Sequence, residues 1–197
     1  MNIIEIPDTI PKLYQDQIET ELASNRFTWC FHDEAAHSAS RFKETFSGFS
    51  HTAYLTEVDG RAPIQSPVSP LLLPILFLFC EKAGLEYNVL LRIRVGLFPK
   101  NKLQVKHHNP HVDFSQPHHT AVYYVNDSDG DTVVFKETVN DVPVSQAARF
   151  SNDNKFRIGA RISPAKGKMV AFDGLHYHAS THPTKASKRI AITFNFA

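Results

Sequence analysis

The clearest structural signal in the sequence is an alternation of apolar and charged residues near the middle of the chain. In "YNVLLRIRVGLF", Leu91, Ile93 and Val95 alternate with Arg92 and Arg94. Because successive side chains of a strand point to opposite faces, this spacing predicts a strand with one apolar and one charged face. Further β-rich runs follow, separated by turn residues: "TAVYYVN", "TVVF", "FRIGARIS", "GKMVAFD" and "KRIAITFNF". Several such short strands predict an antiparallel sandwich or barrel.

The first third of the chain is predicted to be helical and irregular. "IPKLYQDQIETELAS" has apolar residues near helical spacing, with Pro11 suited to the first turn and Asp8 or Thr9 as candidate N-caps. A second helix is predicted in "SPVSPLLLPILFLFCEKAG". There Gly84 is a candidate C-cap, and Pro74 is expected to kink the helix or mark its true start.

Together these patterns predict a mainly β protein with N-terminal helices. Residues 1–86 are expected to form the helical or irregular region, and residues 87–197 the β-core on which it packs as one compact unit. The length of 197 residues suits one domain with a helical extension. A content of 42% hydrophobic and 21% charged residues is typical of a globular chain.

Charge and cysteine content narrow the expected partners and compartment. The 21 basic and 20 acidic residues give a formal net charge of +1, so neither nucleic acid nor an anionic membrane is a predicted partner. The most apolar run, Leu71 to Cys80, is too short to span a bilayer. Two isolated cysteines and the lack of secretory-signal features predict a cytoplasmic protein. The sequence leaves the oligomeric state open.

The histidine-rich segment "HNPHVDFSQPHH" is the strongest candidate for chemistry. In an extended segment His111 and Asp113 point to the same face, so they present a nitrogen and a carboxylate oxygen side by side. A third ligand would complete a 2-His-1-carboxylate set, which suits Fe(II) and leaves positions open for a co-substrate and O2. A later segment offers His176, His178 and His182 for that third position.

Arg189 is the second part of this hypothesis. It opens the apolar strand "KRIAITFNF", where burying an unpaired guanidinium is costly. Its planar fork suits a carboxylate, so it can hold the far end of a dicarboxylate co-substrate that chelates the metal. Tyr124, in the strand after the H-x-D triplet, can supply a hydroxyl to the same carboxylate.

These features resemble a known family, the Fe(II)- and 2-oxoglutarate-dependent oxygenases, in particular their prolyl-4-hydroxylase-like branch. The resemblance extends from about Leu90 to Phe196 and is carried by "HVD", "TAVYYVNDSDGDTVVF" and "GKMVAFDGLHYHASTHPTKASKRIAITF". It implies a core with the double-stranded β-helix (jelly-roll, cupin-like) fold. It also implies Fe(II), 2-oxoglutarate and O2 as cofactor and co-substrates, with ascorbate as a further candidate.

The resemblance also implies a role for each matching residue. His111, Asp113 and His178 are expected to bind the iron, and Arg189, helped by Tyr124, the C5 carboxylate of 2-oxoglutarate. The implied reaction hydroxylates a C–H bond and releases succinate and CO2. The branch implies a prolyl-4-hydroxylase-like activity on a peptide or protein residue.

Several departures from the family pattern bear on the substrate. Phe98 stands where some prolyl hydroxylases have a tyrosine, so contacts to the co-substrate or substrate are expected to differ. Asn195 stands where the nucleic-acid demethylases have a second arginine, which argues against an alkylated base. Asp113 is retained, which favours hydroxylation over halogenation. The family's glycine pair is reduced to Gly130.

Substrate contacts have weaker support in the sequence. The candidates are Arg94, His108 and His176. Arg92 and Arg94 either form ion pairs with the helical layer or point into the cavity of the β-core. The histidines that flank the H-x-D triplet are either solvated loop residues or part of the substrate entrance, and they are His107, His108, His118 and His119.

Two alternative functions remain at this stage. One is a hydroxylase of a free amino acid or another small molecule. The other is a non-oxidative, cupin-like protein that binds a metal or a ligand. Such a protein has no need for a dicarboxylate clamp, so Arg189 favours the oxygenase.

Overall fold

The computed structural model of the protein describes residues 1–33, 47–57, 62–101, 107–152 and 155–197. The helices of these residues are α1 (Lys12–Ala23), α2 (Ser69–Ala83) and α3 (Ala147–Asn152), the last preceded by a 3-10 turn at Val144–Gln146. The strands are β1 (Ile3–Ile6), β2 (Cys30–His32), β3 (Gly48–Leu55), β4 (Ile64–Gln65), β5 (Leu90–Pro99), β6 (His119–Tyr124), β7 (Thr132–Thr138), β8 (Ile158–Ile162), β9 (Met169–Asp173), β10 (His176–Ser180) and β11 (Lys188–Phe196).

The strands form two antiparallel sheets. The larger sheet has eight strands in the order β1-β9-β6-β11-β5-β3-β2, with β4 paired to β3. The smaller sheet has the order β10-β7-β8. Apolar side chains of both sheets, such as Val122 and Tyr124 of β6 and Val134 of β7, pack together between them. The predicted mainly β, antiparallel architecture with N-terminal helices is therefore confirmed.

The alternation in β5 determines what lies on each face of the larger sheet. Ile93 and Val95 are fully buried in the core that α1 and α2 cover, together with Ile190 and Ile192 of β11. Side chains at the intervening positions point to the opposite face, toward the smaller sheet. The charged face predicted for β5 thus points into the protein and not into solvent.

Both predicted helices form, but the N-cap predicted for α1 is wrong. Pro11 is the N-cap residue, and no side chain caps the helix. The Thr9 hydroxyl donates to the carbonyl of Ile6, and the Asp8 carboxylate accepts a hydrogen bond from Gln15. The proline ring fixes φ at a value suited to the start of a helix, and α1 therefore starts here without a side-chain cap.

The second helix ends as predicted and starts earlier than Pro74. Gly84 ends α2 in the left-handed conformation, with φ of 63°. The helix begins at Ser69, so Pro74 lies inside it. The apolar side chains of α2 pack onto the larger sheet. None of the described helices is long and apolar enough to cross a membrane.

The sequence analysis missed the strands of the first third of the chain. β1 pairs with β9, and β3 pairs with β5, so the larger sheet runs across the boundary expected near residue 87. A register shift between Thr52 and Tyr54 interrupts β3. Because this bulge adds a residue, the apolar side chains of β3 do not keep the period of two that reveals a strand.

Candidate metal centre

A short backbone pairing joins the H-x-D triplet to strand β10. The His111 N–H donates to the His178 carbonyl at 3.0 Å, and the His178 N–H donates to the His111 carbonyl at 2.9 Å. This isolated antiparallel bridge sets the two imidazole rings side by side, with centroids 4.6 Å apart. Two histidines distant in sequence are thus brought together by the main chain.

Asp113 completes a group of three potential metal ligands. Its Oδ1 lies 3.9 Å from His111 Nε2, and its Oδ2 lies 3.7 Å from His178 Nε2. One ligand atom from each of the three residues lies within 4.8 Å of the other two. Two imidazole nitrogens and one carboxylate oxygen form the donor set that non-haem Fe(II) oxygenases use.

The protonation states of these three residues suit a cation. Burial lowers the pKa of His111, and it lowers the pKa of His178 to about 4. Burial alone would raise the pKa of Asp113, but the Arg92 guanidinium holds this pKa well below its ordinary range. Two neutral imidazoles and one carboxylate are therefore present at neutral pH. A divalent metal can bind to them without displacing a proton, so the residues fit the metal that the sequence predicts.

Two side chains of the larger sheet hold the Asp113 carboxylate. Arg92 Nη2 lies 2.5 Å from Asp113 Oδ1, and the Asn195 amide donates to Asp113 Oδ2 at 2.9 Å. Arg92 Nε in turn donates to Asn195 Oδ1 at 3.1 Å. Arg92 and Asn195 are direct partners in the β5–β11 register. Of the two readings of Arg92, an ion pair with the helical layer is excluded, because its partner is the metal-site carboxylate.

The hydrogen-bond network continues behind Asn195. The Asn195 amide also donates to Thr120 Oγ1 at 3.1 Å, and this oxygen lies 3.2 Å from His118 Nε2. His118 and His108 are only 6% and 3% exposed, so the reading of these two as solvated loop residues is wrong. The sequence analysis missed Asn195, Thr120 and His118 as support for Asp113. Their polar character on otherwise apolar strands is the signal that could have found them.

A cavity extends from the three donors along the inner face of the larger sheet. In the β5–β11 register, Arg94 pairs with Thr193, Gly96 with Ala191 and Phe98 with Arg189. All six of these residues line the cavity. The floor thus has a cationic end near the metal donors, a middle of small residues, and a second cationic end at Arg189.

Arg189 is a buried cation at the end of the cavity away from the metal donors. Its side chain is 5% exposed, and burial lowers its pKa, although an arginine remains protonated. Its Nη2 donates to Thr132 Oγ1 at 2.9 Å, while its Nε has no hydrogen-bond partner. Among the described residues no carboxylate lies within ion-pair distance of it. A dicarboxylate fits this end of the cavity because it supplies the missing acceptor.

Tyr124 contacts Arg189 through Thr132. The Tyr124 hydroxyl donates to Thr132 Oγ1 at 2.8 Å, and burial raises the pKa of Tyr124 to about 12, so the phenol is neutral. Thr132 lines the cavity, whereas Tyr124 lies behind it. The sequence analysis missed Thr132. Its hydrogen bond with Arg189 joins residues 57 positions apart, and local spacing does not encode such a contact.

Gly130 allows this arrangement through close packing. A Cβ added there would lie 2.8 Å from the Thr181 carbonyl oxygen and 3.0 Å from Arg189 Cδ. Real Cβ atoms do not approach backbone this closely, so a side chain at residue 130 would displace the turn or the arginine. The single glycine of "DGD" is therefore the one that the packing requires.

The three candidates for substrate contact have different environments. Arg94 and His108 line the cavity. The His108 ring packs against Phe98, with centroids 4.6 Å apart, and its Nδ1 lies 3.2 Å from Ser180 Oγ. His176 does not line the cavity, because its Nδ1 bonds the Phe135 carbonyl at 3.0 Å. A register shift between His176 and His178 breaks the simple parity that would put both rings on one face.

His182 and His107 do not line the cavity. His182 Nδ1 lies 2.9 Å from the Pro99 carbonyl oxygen, and its ring contacts that of His108 at a centroid distance of 4.7 Å. His107 is half-buried against Phe135. Neither His176 nor His182 joins the group formed with Asp113, which leaves His178 as the third potential ligand among the described residues.

Comparison with known proteins finds one matching family model. Residues 101–197 match the model of the family described as the 2OG-Fe(II) oxygenase superfamily. This segment contains the three potential metal ligands, Thr132 and Arg189. No curated protein matches the chain in sequence.

Several solved structures share the fold at low sequence identity. An oxidoreductase of the 2OG-Fe(II) oxygenase family from Burkholderia pseudomallei is 13% identical, with a TM-score of 0.65, over 99% of this chain and 85% of that one. HygX from Streptomyces hygroscopicus, with nickel, 2-oxoglutarate and hygromycin B bound, is 13% identical, with a TM-score of 0.61, over 99% and 82% of the chains. A Trichoplax adhaerens prolyl hydroxylase, in complex with a hypoxia inducible factor peptide fragment, is 14% identical, with a TM-score of 0.58, over 98% and 82%.

The solved structures share the double-stranded β-helix fold with this chain, and the model of the 2OG-Fe(II) oxygenase superfamily matches its residues 101–197. They do not single out the prolyl-4-hydroxylase-like branch. One of these solved structures is in complex with a peptide fragment, and another has hygromycin B bound. The shared fold therefore leaves the substrate class undecided.

Proposed function

We propose that this chain belongs to the 2OG-Fe(II) oxygenase superfamily, whose model matches residues 101–197, and that it is an Fe(II)- and 2-oxoglutarate-dependent dioxygenase that hydroxylates a C–H bond of its substrate. In this proposal His111, Asp113 and His178 bind Fe(II). Arg189 binds the C5 carboxylate of 2-oxoglutarate, and Thr132 and Tyr124 support it.

One observation carries the proposal: three metal donors and an uncompensated buried arginine lie in the same cavity. A metal-binding cupin needs only the donors. A buried guanidinium without a carboxylate is destabilising, and a co-substrate with a free carboxylate removes that cost. The pairing of both features favours a 2-oxoglutarate oxygenase over a non-oxidative, cupin-like binding protein.

The bound metal, with 2-oxoglutarate and O2, supplies the oxidising chemistry that yields succinate, CO2 and a hydroxylated product. The residues of this chain supply position and charge. Arg92 and Asn195 fix the orientation of the Asp113 carboxylate, and their hydrogen bonds keep it ionised. The Phe98 ring contacts both the Arg189 guanidinium and the His108 ring, so apolar surface borders the carboxylate clamp.

Two substrate classes are considered. The resemblance to prolyl-4-hydroxylases suggests a peptide or protein residue as substrate, and the alternative is a free amino acid or another small molecule. Phe98 removes the hydroxyl that some prolyl hydroxylases have at this position. Arg94 adds a cation to the cavity wall. Both features favour a small-molecule substrate.

The experiment measures metal binding and succinate release separately. Calorimetry under anaerobic conditions measures Mn(II) binding, and mass spectrometry measures iron-dependent conversion of 2-oxoglutarate to succinate. We expect Asp113→Ala and His178→Ala to abolish succinate release and to weaken Mn(II) binding strongly, because each removes one of three donors.

His176→Ala is the matched control. It removes an imidazole from the same strand, but one that points away from the cavity. We expect it to bind Mn(II) and to release succinate like the unaltered protein. Retained metal binding and turnover in His178→Ala, with loss in His176→Ala, would contradict the ligand assignment.

A further inference from the structure

Arg94 is a cation on the cavity wall for which the protein supplies no anion. Among the described residues it forms no hydrogen bond and no ion pair. The other two arginines of the wall differ from it, since Arg92 is bound to Asp113 and Arg189 to Thr132. Burial lowers the pKa of Arg94, and the neighbouring Arg92 lowers it further, yet a guanidinium remains charged in a protein.

The position of Arg94 is close to the metal donors and away from the co-substrate clamp. Its charge acts on the pKa of His111, and the charge of Asp113 acts on that of Arg94. In the sheet Arg94 pairs with Thr193 on one side and Thr52 of β3 on the other. Arg189 pairs with Phe98, four residues further along β5. Two arginines thus serve opposite ends of one cavity.

With the metal and 2-oxoglutarate bound, the net charge of the cavity favours the binding of one more anion. Asp113 is the one carboxylate among the described lining residues, and three arginines line the same cavity. A divalent metal adds two positive charges, and 2-oxoglutarate brings two negative charges. The loaded cavity therefore keeps a net positive charge, which is costly where water is excluded unless a further anion enters.

We propose that Arg94 binds a carboxylate of the substrate, so that the substrate is a carboxylate-bearing small molecule, such as an amino acid derivative. This inference rests on the proposed function and names the substrate class of the same site. The planar guanidinium fork can bind both oxygens of a carboxylate, which fixes the orientation of the substrate as well as its charge. The oxidised carbon then lies near that carboxylate.

The rest of this wall can receive the substrate. Gly96 has no atom within 4 Å of where a Cβ would stand, so open space lies beside Arg94. Across the sheet, Ser50 pairs with Gly96, and its hydroxyl lies 2.7 Å from His32 Nε2. Phe49 lines the same end of the cavity. A polar pair thus lies across the sheet from Gly96, on the β3 side of β5, whereas Arg189 lies on the β11 side.

The main rival is that Arg94 binds the C1 carboxylate of 2-oxoglutarate. Arg189 and the metal already compensate both carboxylates of the co-substrate, so this rival leaves the net positive charge in place. The two readings differ in their consequences. If Arg94 binds the substrate, its loss leaves 2-oxoglutarate binding intact, whereas the rival requires that binding to weaken.

The experiment uses the full chain loaded with Mn(II) and 2-oxoglutarate. The probes are common L-amino acids and N-acetyl-L-amino acids, each compared with its own carboxamide at millimolar concentration. Relaxation of the probe's NMR signals by the bound Mn(II) reports which probes enter the cavity. We expect acids to bind at least tenfold more tightly than their amides. Arg94→Gln is expected to remove this preference, and Arg94→Lys to keep part of it.

Arg26→Gln is the control variant, because Arg26 is an exposed arginine outside the cavity. It should keep the full preference for acids, and all variants should keep the Mn(II) and 2-oxoglutarate affinities of the unaltered chain. Absence of acid binding, equal binding of acids and amides, or a preference that survives Arg94→Gln would overturn the inference. Weakened 2-oxoglutarate binding in Arg94→Gln would overturn it in favour of the rival. Failure of the proposed function itself is distinguishable, because the unaltered chain would then not bind 2-oxoglutarate.

Discussion

At the scale of single residues, the protein buries charge where chemistry is proposed. Asp113 and Arg189 are both buried, but only Asp113 has a charged partner within the described chain. The local sequence predicted both residues from their types and positions. It did not predict Arg92, Asn195 or Thr132 as their partners, because hydrogen bonds between distant strands depend on register and not on local spacing.

The carboxylate clamp gives a prediction at this scale. Arg189→Gln is expected to raise the Michaelis constant for 2-oxoglutarate by an amount equivalent to roughly 2–4 kcal/mol, because it removes a buried, charge-assisted contact. Steady-state succinate release at varied 2-oxoglutarate measures this effect. Arg26→Gln is the matched control. An unchanged Michaelis constant in Arg189→Gln would refute the clamp.

At the scale of elements, the pairing of β5 with β11 builds the floor of the cavity. The alternation of both strands was readable in the sequence, and it predicted two strands correctly. Their register puts Gly96 opposite Ala191 and Phe98 opposite Arg189. This register was not readable, because either strand could pair at several offsets without exposing its apolar face.

Two glycines, Gly96 in the cavity wall and Gly130 packed behind Arg189, give a prediction at the element scale. Gly130→Ala is expected to raise the Michaelis constant for 2-oxoglutarate, because its Cβ would press on Arg189 and on the Thr181 backbone. Gly96→Ala is the matched change, since nothing lies within 4 Å of its Cβ. Thermal unfolding should show a loss of stability in Gly130→Ala and little change in Gly96→Ala. The reverse order of stabilities would contradict the packing described for the turn.

At the scale of the whole molecule, the folded chain holds several imidazoles at and around the candidate metal centre. Burial lowers the pKa of His108, His111, His118 and His178. In the unfolded chain these rings have the ordinary pKa of about 6.5. Between pH 6.5 and about 4 the unfolded state therefore binds more protons than the folded state. The stabilising effect is complete above pH 6.5 and is lost as the pH falls.

The metal-free protein is therefore expected to be less stable at pH 5 than at pH 7.5. The lowering of the His178 pKa to about 4 in the folded protein accounts for about 2 kcal/mol of this difference in the free energy of unfolding. Urea unfolding at the two pH values measures the change in the free energy of unfolding. His178→Gln should reduce the difference, because it removes one of the titrating rings. A free energy of unfolding that stays constant or increases toward pH 5 would count against neutral, buried histidines.

The sequence by itself determined the strands of the second half except β10, both long helices and the types of residue that carry the chemistry. These depend on local periodicity, on turn residues and on the intrinsic chemistry of His, Asp and Arg. It also gave the resemblance that the family comparison supports at the superfamily level.

Only the tertiary structure decided which side chains meet. The backbone bridge between His111 and His178 brings the donors together, and the β5–β11 register links Arg92 to Asn195. The same register leaves Arg94 in the cavity without an anion among the described residues. Such contacts join residues far apart in the chain, and their free energy depends on burial and register, which no local pattern encodes.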